Sequence, residues 1–151
     1  RGSMIMTRHF LAALGLAAAL ASGAVLPAIA DDTPDSSFVR LHAIDMLEGA
    51  LNAQQTTTLQ LLAHQAAIAA SCDGFTLDDA KVAKAFDTLA HVDGDKLTAV
   101  QRDYHDKHLL VVYGVLVGGE LADLSDNVGK ACAAAAETRA DPEFAAELVW
   151  Q

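Results

Sequence analysis

Aromatic side chains are scarce in this chain: one Trp, two Tyr and five Phe among 151 residues, although 52% of the residues are apolar. An alanine-rich apolar fraction with so few rings suits closely packed helices better than a β-sandwich or barrel. Bases are scarce as well, with Lys and Arg numbering 10 against 20 Asp and Glu, a formal net charge of -10. A surface of that sign has no basic footprint for a phosphate backbone, so no nucleic-acid partner is expected and anionic membrane surfaces are poor partners too. There are three prolines and two cysteines. No proline-rich linker, repeat or low-complexity tract divides the chain after residue 30. The sequence contains no G-x-S-x-G, H-E-x-x-H, glycine-rich phosphate loop, C-x-x-C or C-x-x-C-H. Catalysis therefore ranks behind binding as a class of function.

Residues 1–3, Arg-Gly-Ser, read as a remnant of expression, and residues 4–30 as a signal peptide. Arg8 and His9 form a basic start, residues 10–26 an apolar stretch, and Pro27 followed by Ala28-Ile29-Ala30 a small-x-small cleavage site near Ala30. Export to the periplasm or the medium is the expectation, with residues 31–151 as one mature domain. Loss of Arg1 and Arg8 leaves eight bases against the 20 acids. An even pair of cysteines in an oxidising compartment is expected to be a disulfide, Cys72 to Cys132.

The mature part reads as an all-α domain, a compact bundle of four or five helices. A first long helix is expected from Ser36 or Ser37 through Leu41, Ile44, Leu47, Leu51, Leu61, Leu62 and Ile68, with a bend at the β-branched threonines of residues 54–58 and a stop at Cys72-Asp73-Gly74. Thr76 with Asp79 opens a second helix that ends near His91. The loop Val92-Asp93-Gly94-Asp95 has turn chemistry, with Gly94 suited to positive φ, and lacks the acid spacing of a calcium loop. Thr98 with Gln101 is a capping box that starts the third helix. Its expected core face is Val100, Tyr104, His108, Val111, Val115 and Gly118. The apolar run 109–119 also has strand character, but no second such segment exists to pair with it. At eleven residues it is too short to cross a bilayer, so no membrane span is expected in the mature chain. Gly114 and Gly118 form G-x-x-x-G and are expected to let an alanine-rich segment, 66–70 or 131–136, pack closely. Ser125 caps a fourth helix holding Val128 and Cys132, and Asp141-Pro142-Glu143 starts a last one bearing Phe144, Leu148 and Trp150.

The sharpest candidate for chemistry is His105-Asp106-Lys107-His108. Two imidazoles three residues apart on a helix project to one side and suit zinc or copper. A third ligand would come from His42, His64, His91 or Glu120, with Asp103 or Asp106 orienting a ring. The plainer reading keeps His108 hydrogen-bonded on the apolar edge and His105 in solvent. Met46 stands alone in the mature part, so no methionine copper box exists. Cys72-Asp73-Gly74-Phe75, with the distant Cys132, resembles the HdeA-type periplasmic acid-stress chaperones, small exported helical proteins with one disulfide. The resemblance implies a stress-related chaperone whose surface charge reverses on acidification. The leading expectation is a non-enzymatic exported bundle that works by binding a protein partner or by self-association, as in a homodimer, without a cofactor. The alternative is a zinc or copper protein using His105 and His108.

Overall fold

The computed structural model describes residues 36–151 apart from Glu48. The expected leader, its cleavage site and residues 1–3 lie outside the described residues. Five helices follow one another: α1 (Ser36–Asp45), α2 (Ala53–Ser71), α3 (Asp79–Asp87), α4 (Ala99–Ser125) and α5 (Val128–Ala140), with a 3-10 turn at Gly94–Lys96. No strand occurs among the described residues, only an isolated antiparallel bridge between Leu77 and Trp150. The run 109–119 is helical, as its lack of a pairing partner requires.

The first long helix is two helices. The break falls before the threonines, where Gly49 adopts a φ of 76° that only glycine takes readily. Asn52 then caps α2: its side chain accepts from the Gln55 backbone and the Gln55 side chain accepts from the Asn52 backbone, both at 2.9 Å. The threonines continue the helix, because the hydroxyls of Thr57 and Thr58 donate back to the carbonyls of Ala53 and Gln54 at 3.1 Å. Gln55 also donates to the Thr88 and Ala90 carbonyls, at 3.0 and 2.7 Å, and so ties the start of α2 to the end of α3. Asp78, rather than Thr76, caps α3, accepting from the Ala80 and Lys81 amides. Helix α3 stops at Asp87, short of His91, and Gly94 lies in the 3-10 turn without a positive φ.

Helix α4 has the expected capping box, Thr98 with Gln101, and runs unbroken through Gly118 and Gly119 for 27 residues. Its buried face is not the expected one. The inward side chains are His105, Leu109, Val112 and Leu116, with Gly119 beside them. Val100, Tyr104 and Val111 are 78%, 66% and 57% exposed. Both sets are spaced by threes and fours, so helical periodicity alone is satisfied by either. The set that meets α1 and α2 is the one buried. The expected packing of an alanine segment on Gly114 and Gly118 is absent among the described residues: both glycines are exposed, and a Cβ on either would have nothing within 4 Å. Taken whole, α4 is long and apolar enough to cross a bilayer, which the eleven-residue run is not. In this fold one side of it is instead the wall of the core shared with α1 and α2.

The main core joins Ala43, Leu47, Leu59, Leu62, Ala63, Leu89, Leu109, Val112 and Leu116. A second cluster, Ile68, Cys72, Phe75, Ala135 and Trp150, surrounds the expected Cys72–Cys132 disulfide, whose Cα atoms lie 5.5 Å apart. The bridge staples the end of α2 to α5. Arg139 stacks over the Phe75 ring, 4.1 Å from its centroid, and donates to the Gly74 carbonyl.

The last expected helix does not form. After Asp141 the chain makes successive three-residue turns, with Phe144 bonded to Asp141, Ala145 to Pro142 and Glu147 to Phe144, and then straightens. Buried Gln65 on α2 holds the straight segment. Its amide donates to the Glu147 carbonyl at 3.0 Å and accepts from the Val149 amide at 2.7 Å, while the Trp150 indole donates to the Gln65 carbonyl at 3.0 Å. Asp78 donates its backbone N–H to the Val149 carbonyl and Gln151 to the Thr76 carbonyl, so the strap lies between α2 and the start of α3. Tertiary partners outweigh the local helix-start signal here.

Reduction of the disulfide, or Cys132→Ser, is expected to cost about 4 kcal/mol, the loop-closure contribution for this separation. Equilibrium urea denaturation with and without reductant measures it. Gln65→Leu leaves the Val149 amide and Glu147 carbonyl without their partners and is expected to cost about 2–4 kcal/mol. Trp150 fluorescence should shift to the red as the strap loosens, and an unshifted spectrum with unchanged stability would refute the clamp.

Candidate functional site

Helix α2 turns one side to the core and the other to a groove. Three depressions lie along the outer side and all include Leu61, an apolar residue 38% exposed. The first, about 290 Å³, is bounded by α1, α2 and α4 and lined by Arg40, Thr57, Leu61, His64, Leu116 and Glu120. The second, about 670 Å³, lies between α2, α3 and the C-terminal strap. Its apolar walls are Leu61, Leu62, Ala85, Leu148 and Val149, and Lys81 and Lys84 stand among its polar residues. The third, about 310 Å³, reaches α5 past His64, Ala135, Phe144 and Trp150. Leu61 is where they meet.

A polar cluster occupies the first depression. Arg40 donates to Glu120 Oε1 at 3.0 Å and pairs with Asp123 as well. His64 Nδ1 lies 2.8 Å from Glu120 Oε2. The carboxylate can only accept, so the proton of that bond sits on Nδ1. The His64 hydrogen bond holds the Glu120 carboxyl below its usual 4.5; partial burial opposes the shift, and the charges of His64 and Arg40 reinforce it. Both carboxylate oxygens are taken by protein partners, which makes Glu120 a brace linking α1, α2 and α4. In the second depression Lys81 donates to the Trp150 carbonyl at 3.0 Å, holding the strap with one of its three donors.

The two histidines of the expected metal site have different surroundings. His105 is buried, with Nε2 3.0 Å from the Leu89 carbonyl and its ring against that of His91, centroids 5.3 Å apart. It closes the α3–α4 connection from inside, the reverse of the solvated placement. His108 is half-buried beside Tyr104, with centroids 5.4 Å apart. Of the possible third ligands, His64 is bonded to Glu120, His42 stacks on Phe38, and His91 accepts from the Asp93 amide at 3.0 Å. Among the described residues no three His, Cys, Asp or Glu side chains gather where a metal ion would sit.

His64 and Glu120 were legible as polar residues on helices, but the spacing of 56 positions gave no sign that they meet. Gln65, Lys81 and Lys84 carried no local signal, and Leu61, read as part of the apolar stripe of the first helix, is exposed instead; each acquires its neighbours only when α2, α3 and the strap come together.

Glu120, with its folded pKa lowered, contributes stability that is fully present above its unfolded value of 4.5 and is lost as pH falls through the lower folded value. Glu120→Gln is expected to flatten that part of the stability profile below pH 4.5 and to leave the profile's shape above it unchanged. Urea midpoints measured from pH 7 to pH 3 for both proteins check the sign.

No family model, curated protein or solved structure matches this chain.

Proposed function

We propose that this is an exported, disulfide-stapled helical protein that works by binding, and that its ligand lies in the groove along α2 with an apolar body over Leu61 and an anionic end beside Lys81 and Lys84. The convergence of three depressions on one exposed leucine carries the reading. The second depression supports the charge: two lysines and a single acid, Glu147, line it in a chain whose net charge is -10. Its volume of about 670 Å³ suits a small organic ligand. Binding is favoured over catalysis because both oxygens of Glu120, the carboxylate at the other end of the groove, are already paired with Arg40 and His64. The Cys72–Cys132 bridge supports export, since disulfides persist in oxidising compartments.

Anilinonaphthalene sulfonate, an apolar ring system with one anionic group, is the first probe. Native protein at neutral pH is expected to bind it with micromolar affinity. Leu61→Glu, at a position exposed enough to tolerate charge, should weaken binding about tenfold or more, and Lys84→Gln should weaken it about threefold. Equal dye affinity in all three proteins would overturn the groove as the site.

A further inference from the structure

Resting on the groove proposed above, we infer that its ligand is a long single-chain alkyl carboxylate, with its head beside Lys84 and its tail crossing Leu61 and Leu148 into the third depression. Helix α3 runs antiparallel to α2. Gln55 near the start of α2 holds the Thr88 and Ala90 carbonyls, and at the other end the Asp78 amide meets the carbonyl of Val149, whose own amide is held by Gln65. Between these ends the second depression follows α2 from Gln54 to Gln65, about 16 Å of helix, with Lys81 and Lys84 on the facing wall. Neither lysine has a carboxylate within ion-pairing distance among the described residues, although acids outnumber bases two to one in the chain. Arg40, Lys96 and Lys107 do hold acids. Lys81 donates to the Trp150 carbonyl, whereas Lys84 has no hydrogen-bond or ion-pair partner among the described residues, which leaves its ammonium donors open to a ligand. Two cations without counter-charges on one wall of a concave surface draw an anion.

The charge of the lining sets the head group. Two lysines and Glu147 leave one net positive charge, which a carboxylate balances and a dianionic phosphate ester exceeds. No arginine lines this depression, and the planar guanidinium fork is the side chain best matched to phosphate. The tail follows from the way two depressions adjoin. Leu61, Gln65, Glu147 and Leu148 line both the second and the third. Gln65 is buried and engaged with the strap, so the apolar surface joining the two is that of Leu61 and Leu148. Beyond them Ala131, Ala134 and Ala135 of α5 line the third depression together with Phe144, Leu148 and Trp150, and no Lys or Arg stands there. That lining offers apolar contact to a tail and no cation to hold a second head group. Each methylene buried in it is worth roughly threefold in affinity.

Trp150, the one tryptophan of the chain, lines the third depression and not the second. With the full chain, hexadecanoate brominated at its terminal carbon is expected to quench Trp150 fluorescence more strongly than hexadecanoate brominated beside the carboxylate. Displacement of anilinonaphthalene sulfonate should tighten about tenfold from dodecanoate to hexadecanoate. Ala134→Phe, at an exposed position of α5, should abolish that gain with circular dichroism unchanged. Dodecyl phosphate should compete less well than dodecanoate. Stronger quenching by the acid brominated at its head, equal affinity for the two chain lengths, a gain retained in Ala134→Phe, or tighter binding of the phosphate each overturns this ligand, and the groove itself stands as long as Leu61→Glu weakens dye binding. Equal dye affinity in native and Leu61→Glu protein removes the groove and the ligand together.

Discussion

The contact between α2 and α4 organises everything else. Leu59, Leu62 and Ala63 on one helix meet Leu109, Val112 and Leu116 on the other, and the remaining elements take positions allowed by that contact. Fixing α2 against α4 leaves α1 to close one side of the core and α3 the end. His105 seals that end by holding the Leu89 carbonyl where the chain leaves α3. A buried imidazole in this role stabilises by satisfying a carbonyl that would otherwise lose its water without replacement. Its chemistry is spent on the fold.

The outer side of α2 follows from the same arrangement. Once its inner residues are committed, Leu61 and His64 face outward into the space between α1, α3, α5 and the C-terminal strap. The strap is the less obvious participant. Gln65 holds residues 147–150 extended along α2, and this sets one wall of the second of the three depressions. The disulfide anchors the cluster into which Trp150 inserts, with the Phe75 and Trp150 rings edge to face at 4.8 Å between centroids. Staple, strap and groove are thus linked, since strap residues line two of the three depressions.

Where the sequence and the structure agree, the determining groups are close together in the chain. The Thr98–Gln101 capping box and the left-handed Gly74 after α2 are set by residues within a turn of one another. The same kind of signal exists at Asn52–Gln55 and Asp78, where the adjacent threonine run and the Thr76–Asp79 pair offer competing local patterns. Where they disagree, distant partners intervene. Asp141-Pro142-Glu143 has the composition of a helix start, yet Gln65, 76 positions earlier than Asp141, supplies hydrogen bonds that an extended strap satisfies and a helix would not. His105 and His108 share a helix and a spacing, but one ring is buried against the Leu89 carbonyl and the other is half-buried beside Tyr104, a difference set by elements distant in the chain.

The amino-acid sequence alone determined the helical class, the Thr98–Gln101 cap, the stop at Gly74, the acidic composition and the cysteine pairing, because these depend on local conformational preference, composition and a choice with only two thiols. It left open which side of α4 turns inward: both sides carry apolar residues at three- and four-residue steps, and periodicity has no term that distinguishes them. Tertiary structure decided, by the shape match with α1 and α2, that His105, Leu109, Val112 and Leu116 are enclosed while Tyr104, Val111 and the two glycines stay outside. The groove belongs to the same category, since a concave surface is a relation among elements and exists in no segment by itself.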